Sequence, residues 1–223
     1  MDPERQLIDE QIAYYRARAA EYDATSTPDG GRFEAHADRV RSALRTFAPR
    51  GRVLELAAGT GQWTGILAEY ADELVVTDSS PEMLEINRAR VGERPRVQFE
   101  VVDALVPTVA GPFEVVFFGF FLSHVPLRSL AAFSAVLDRL LAPGGRIFFV
   151  DEGPHDEWRE DWVDRAAGIV RRPLTDGSVH RAVKVLWRAG ELQRRLEHLG
   201  WEASVTTTGP FYWGTVARRG QSA

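Results

Sequence analysis

Val53-Leu54-Glu55-Leu56-Ala57-Ala58-Gly59-Thr60-Gly61-Gln62-Trp63-Thr64-Gly65 decides how the rest of the chain is read. Residues rich in β formers run into a small, glycine-bearing loop, and a helical pattern follows at once. That is a strand, a tight turn and a helix N-terminus. Such a junction presents backbone N–H groups to a ligand, and glycine lets the ligand approach the main chain with no Cβ in the way. The pattern predicts a nucleotide-type cofactor site.

Outward from this stretch, strands and helices alternate. The pattern predicts a strand over 53–57 and a helix over 62–70, then a strand over 73–77 that ends at Asp78. A helix over 81–90 follows, with Ser80 as N-cap and Pro81 at its first position. A strand over 96–102 ends at Asp103. Residues 113–119 are nearly all apolar, as in a strand buried on both faces of a parallel sheet. A helical stripe over 127–140 stops before Pro143-Gly144-Gly145, and a strand over 146–150 ends at Asp151-Glu152. Repeated β-α-β units make a doubly wound sheet, whose ligands collect beyond the carboxyl ends of the strands. Gly59/Gly61, Asp78, Asp103, Asp151 and Ser123/His124 therefore converge on one edge.

Two helical stripes precede this core: 4–23, with Ile12, Tyr15 and Tyr22, and 33–47, which stops before Pro49. They are expected either as a lid or as packing on the sheet. After Asp151 the alternation breaks. Residues 153–188, with Trp158, Trp162, Trp187 and a polar segment at 171–177, read as an insertion, either substrate-specific or a solvated excursion. A helix over 191–199 stopped by Gly200 and two strands, 201–208 and 211–218, separated by Gly209-Pro210, predict a closing antiparallel hairpin. The expectation is one domain: a helical cap over 1–50, a cofactor core over 51–152, the insertion over 153–188, and the last helix and hairpin over 189–219.

Composition bounds the function. With 223 residues and 44% hydrophobic content the chain can bury one good core. A net charge of −5 lends no general attraction to nucleic acid or an anionic membrane. With no cysteine, neither disulfides nor thiolate zinc sites form. No basic n-region or apolar span is read, so a cytoplasmic protein is expected. Lys184 is the only lysine against 26 arginines, a bias that reads as GC-rich coding more than as function.

Two cofactor classes fit a strand-loop-helix with an acid about 20 residues downstream. The nicotinamide fingerprint requires a third glycine. Here that position is Thr64, with Gly65 one place late. The segment 53–61 resembles instead the first motif of the class I S-adenosylmethionine-dependent methyltransferases. Val75-Val76-Thr77-Asp78-Ser79-Ser80-Pro81-Glu82-Met83-Leu84 resembles their second. Asp103-Ala104, the strand over 113–119 and the Pro143-Gly144-Gly145 turn follow in the family's order, and the hairpin matches its added antiparallel strand. Ala57-Ala58 stand where the family more often has glycine and cysteine. The resemblance implies a Rossmann-like, mostly parallel seven-stranded sheet with an antiparallel C-terminal hairpin. It also implies S-adenosylmethionine as cofactor. By the same resemblance Ala57, Gly59, Thr60 and Gly61 contact the cofactor, and Asp78, with Ser79 beside it, accepts the ribose hydroxyls. Asp103 and Ala104 meet the adenine edge, Met83 packs on its face, and Glu55 supports the loop and the cofactor's ammonium. Phe120, Tyr15 and Tyr22 are further candidates for cofactor contact.

His124, just past the fourth strand, is the sharpest catalytic candidate, able to take a proton from a hydroxyl or to hold an amine. The alternative is that it caps or packs against the next helix. His155 and Asp156 form a second possible pair. No histidine pair has metal-ligand spacing, so no metal is expected. Aromatic residues around the expected mouth (Phe120, Phe121, Trp158, Trp162, Trp187, Phe211, Tyr212 and Trp213) suggest an aromatic or apolar small-molecule acceptor, methylated on oxygen or nitrogen. A nicotinamide oxidoreductase and a non-catalytic cofactor-binding protein are the alternatives.

Overall fold

Apolar residues on both faces of the predicted strands require helices on both sides of the sheet, and the computed structural model, which describes residues 2–26, 33–155 and 160–220, supplies them. Three helices come first: α1 (Pro3–Arg18), α2 (Tyr22–Ser26) and α3 (Glu34–Phe47). The core then runs β1 (Arg52–Leu56), α4 (Thr64–Tyr70), β2 (Glu73–Asp78), α5 (Pro81–Val91), β3 (Val97–Val101), β4 (Phe113–Gly119), α6 (Leu130–Leu140) and β5 (Leu141–Glu152). Three short strands, β6 (Trp162–Asp164), β7 (Ile169–Pro173) and β8 (Val179–Val183), precede α7 (Ala189–His198), β9 (Trp201–Thr208) and β10 (Phe211–Arg218).

The main sheet has seven strands in the order β3-β2-β1-β4-β5-β10-β9. Its first five are parallel, and β10 lies antiparallel between β5 and β9. On one face Leu54, Leu56, Phe118 and Phe149 pack with Phe133, Leu137 and Leu196 from α6 and α7. On the other Val53, Phe117 and Phe148 pack with Val40, Leu44, Ile66 and Leu67 from α3 and α4. Strand order reverses at β1, which pairs with β2 on one side and β4 on the other. The crevice outside its carboxyl end is the natural ligand site of such a sheet.

Three elements differ from the expectation. The helix expected over 4–23 breaks into α1, a tight turn at Ala19–Glu21 and α2, which aims Asp23 at the glycine loop, where it accepts from Thr60. Strand β5 starts at Leu141, with Pro143-Gly144-Gly145 as an irregularity inside it: pairing passes from Phe113↔Leu141 to Val115↔Arg146. A Cβ at Gly145 would lie 2.9 Å from Ala142 O, so the bulge requires glycine there. Residues 162–183 form a three-stranded antiparallel sheet of their own, β6-β7-β8, on which α1 packs with Leu7 and Ile8 against Val183. Its signal lies in the Val179-His180-Arg181-Ala182-Val183 alternation after the Thr175-Asp176-Gly177 turn.

Candidate active site

The glycine loop is held from beneath by α5. Buried Asn87 donates from Nδ2 to Gly59 O at 3.3 Å and Thr64 Oγ1 at 2.9 Å. A Cβ at Gly61, where φ is 87°, would lie 2.4 Å from Asn87 Oδ1, so glycine is needed for that close approach. A Cβ at Gly59 would meet nothing within 4 Å, so the loop's outer side is open to a ligand. Ala57 takes φ 51°, a left-handed conformation costly for alanine, where the family's more frequent glycine would be unstrained. Glu55 lies fully buried, and neither carboxylate oxygen has a hydrogen-bond partner. Burial pushes its pKa up to about 8.

Two cavities open at the carboxyl ends of the strands. The smaller, about 80 Å³, is lined by Ala57, Gly59, Asp78, Ser79, Met83, Asp103 and Ala104 among others. Asp78 accepts from Gly59 N at 2.8 Å and Ser80 N at 2.9 Å, and burial raises its pKa. Asp103 accepts from Leu105 N at 3.0 Å and pairs with Arg5 of α1 at 2.9 Å. The larger cavity, about 910 Å³, lies between α1, α2, α3, the end of β5 and the second sheet. Its wall carries Arg18, Arg172, Lys184, Glu152 and Glu160 with Phe33, Trp63 and Phe211. The two cavities share four residues: Tyr15, Tyr22, Phe120 and His124.

At this junction His124 is 8% exposed. Its Nδ1 lies 2.7 Å from Val183 O, which only accepts, so Nδ1 carries the proton. Its Nε2, 2.8 Å from the Tyr15 hydroxyl, then accepts from Tyr15. Burial, reinforced by the positive charges of Lys184, Arg172 and Arg18, holds the imidazole well below its ordinary pKa and therefore neutral. Burial likewise raises the Tyr15 phenol well above the ordinary value and Tyr22 to about 12. Phe120, at φ 54°, turns the chain out of β4 and faces Phe211, ring centroids 5.5 Å apart.

Of the expected site residues, Glu55 lies beneath the loop and Thr60 and Gly61 within it, and none of the three lines either cavity. Thr60 is buried, and its hydroxyl donates to Asp23 at 2.7 Å. Asp151 also stays out, fully buried and accepting from Ser123 N at 2.7 Å. Among the aromatics, Phe120 and Phe211 reach the large cavity and Phe121 lines the small one, whereas Trp187 and Tyr212 belong to the core and Trp213 stacks on Phe148. His155 meets Phe33 edge-on; Asp156 and Trp158 lie outside the described residues. Gln11 and Asp23 were not anticipated. Gln11 is betrayed only as a polar residue within the apolar stripe of α1. Among the described residues no group of three or more His, Asp or Glu could hold a metal ion, and no helix is long and apolar enough to cross a membrane.

These residues fit the cofactor that the resemblance implies. An orphaned buried carboxylate sits under the loop, the loop's outer side is open, and two acids end adjacent strands. Residues 53–145 match a family described as "Methyltransferase domain". The ubiquinone/menaquinone biosynthesis C-methyltransferase UbiE of Ectopseudomonas mendocina (strain ymp) is 31% identical over 156 residues, which are 67% of this chain and 60% of that protein. The chain thus spans less than two thirds of that relative's length. The solved DhpI–SAH complex is 38% identical with a TM-score of 0.83, covering 95% of this chain and 97% of that one. The DhpI–SAM–HEP complex is 36% identical with a TM-score of 0.81 over the same shares. With a two-cavity site at the carboxyl ends of a seven-stranded sheet and a relative matched along nearly its whole length, the chain belongs to the class I S-adenosylmethionine-dependent methyltransferases.

Proposed function

We propose that this protein methylates an oxygen of a small acceptor that carries an anionic group beside an apolar body. The observation that carries this reading is the meeting of the two cavities at Tyr15, Tyr22, Phe120 and His124. In this reading the small cavity takes the nucleoside end of the cofactor: Asp78 and Ser79 meet the ribose, and Asp103, Ala104 and Met83 the adenine. Glu55 offers its charge beneath the loop to the ammonium. S-adenosylmethionine, when bound, supplies a methyl group made electrophilic by its sulfonium charge. The residues at the junction then have to align a nucleophile, and alignment alone contributes roughly 7 to 11 kcal/mol.

Tyr15 and His124 form a relay for the acceptor's proton. A hydroxyl acceptor held at the junction would become strongly acidic on receiving the methyl group, whose bond to sulfur would break as the bond to oxygen forms. It releases its proton to the Tyr15 oxygen while the Tyr15 proton moves to His124 Nε2. A weak base suffices for so acidic an oxygen, which suits a histidine held neutral. Arg172 and Lys184 on the wall are offset by Glu160 and Glu152, so it is Arg18, which donates to the Thr25 hydroxyl, that favours an acceptor with a phosphate or carboxylate group, and Phe33, Phe120 and Phe211 favour an apolar body. The helices α1 and α2 act as a lid over both cavities.

A second reading, C-methylation of a quinol ring, draws on the identity to the quinone-biosynthesis relative. A panel of anionic hydroxy compounds and demethylated quinols, scored by mass spectrometry for methyl transfer, separates the two. Tyr15→Phe and His124→Gln are expected to lower kcat roughly 10²- to 10⁴-fold, with S-adenosylhomocysteine affinity in His124→Gln little changed by calorimetry. Full turnover in either variant removes the relay.

A further inference from the structure

Every cation of this chain is arginine except one. Lys184, at 5% exposure, lies just past β8 on the wall of the large cavity. Arginine is the better residue for a buried ion pair, since its planar fork matches a carboxylate and is more weakly hydrated than an ammonium. A lone lysine at such a place calls for a physical reason. Its Nζ is 2.7 Å from Glu152 Oε2 and 3.4 Å from the hydroxyl of Ser123, the residue before His124. The backbone on both sides is stitched to the same turn: Val183 O accepts from His124 Nδ1, and Val185 N donates to Ser123 O at 2.7 Å. The Lys184 backbone is thus anchored on both sides to the turn that carries His124, and Glu152 holds the ammonium against Ser123 as a compact point charge.

We propose that Lys184 is a positioning residue for His124: its fixed charge in the cavity wall keeps the imidazole a hydrogen-bond acceptor toward Tyr15. The inference rests on the reading of Tyr15 and His124 as a proton relay. The charged and titratable groups facing His124 come from several elements. Tyr15 and Arg18 belong to α1, Arg172 to β7, and Lys184 to the segment after β8. Glu152 at the end of β5 and Glu160 face the same cavity as counterions of Lys184 and Arg172. Asp78 and Asp103 face His124 across the small cavity. Among the cations Lys184 has the largest effect on the imidazole, and it acts in the direction that opposes a second proton on the ring. Burial is the larger cause of the ring's neutrality and Lys184 adds to it; without Lys184 the ring takes its second proton at a higher pH, and the protonated imidazole, donating from both nitrogens, loses the bond from Tyr15 and leaves the relay without a terminus.

The test is an NMR titration of the His124 ring in labelled, ligand-free protein, its signal assigned with His124→Gln. Because neither acceptor nor turnover is needed, the outcome is independent of whether the relay reading survives. In the wild type the ring stays in the neutral Nδ1–H form to well below the ordinary midpoint of 6.5. In Lys184→Met the midpoint rises by about one pH unit or more, and Lys184→Arg restores most of the wild-type behaviour. The double variant Lys184→Met/Glu152→Gln, which leaves no unpaired buried carboxylate, keeps the protein folded and shows the same direction of change. An unchanged His124 titration in folded Lys184→Met overturns the proposal. So does a rise that appears in the single variant and vanishes in the double, because the orphaned Glu152 would then be its cause.

Discussion

Glu55 shows how a single residue trades stability for a ligand site. Fully buried beneath the glycine loop with no hydrogen-bond partner, it has a pKa near 8 against an ordinary 4.5. The folded value lies above the unfolded one, so the unfolded chain sheds this proton first as pH rises. The stability contributed by the protonated form is full below about 4.5 and is lost as pH climbs through 8. Glu55→Gln is expected to stabilise the ligand-free protein at pH 8 relative to wild type by on the order of a few kcal/mol. At pH 5 it should have much less effect, and S-adenosylhomocysteine binding should weaken. Urea unfolding at the two pH values, with calorimetry beside it, checks both halves. A variant with wild-type pH dependence and wild-type affinity would show that Glu55 neither titrates in this range nor serves the site.

At the scale of elements, α1 and α2 lie along the crevice like a strap with three charged or polar ties on its cofactor side. Arg5 pairs with Asp103, Arg16 with Glu82, and Asp23 with Thr60, Gln62 and Arg90. Most of these side chains are substantially exposed, and pairs of that kind contribute about 0 to 1 kcal/mol each. These ties are light, whereas α1 is also packed on the second sheet through Leu7 and Ile8 and paired there through Glu10 and Arg181, so the end of the strap held lightly enough to open for a cofactor is α2. Asp23→Ala, which unties the end over the glycine loop, is expected to speed S-adenosylhomocysteine dissociation roughly fivefold, the equivalent of about 1 kcal/mol. Stopped-flow measurement of the off-rate tests the lid, and an off-rate equal to wild type would leave these helices as packing alone. Raised ionic strength should mimic the variant, because exposed charges are screened.

Across the whole molecule, three bodies have to meet for the site to exist: the strap, the turn after β4 and the second sheet. Gln11, 5% exposed, joins all three. It donates to His124 O at 3.3 Å and accepts from Val183 N at 2.9 Å. Gln11→Leu strands a buried carbonyl and a buried amide, at a cost of about 1 to 3 kcal/mol. Thermal unfolding should register that loss, and kcat/KM should fall further than cofactor affinity, because the small cavity keeps its own floor from β1, β2 and α5. Undiminished stability and turnover in this variant would mean that packing, not this hydrogen-bonded junction, aligns the three bodies.

What could be read in the chain itself was whatever depends on near neighbours and on period. The parallel strands, the caps at Ser80 and Pro81, the closing hairpin and the glycine loop follow from local φ/ψ preferences and alternation, while the cofactor class came from the resemblance that 53–61 and 75–84 carry. The second sheet was legible in principle at 179–183, but short strands of mixed polarity do not stand out from solvated loops until something packs on them, here Leu7 and Ile8 of α1. The partners of His124 were beyond reach. Tyr15 lies 109 positions away, Val183 lies 59 away and Lys184 follows it. Which nitrogen carries the proton, and whether the ring is charged, are set by burial and by charges that only the folded chain assembles. Sequence names the donor of the methyl group because a cofactor is held by a contiguous loop; the acceptor's surroundings come from α1, the end of β4, β5 and the second sheet, and only their tertiary meeting decides them.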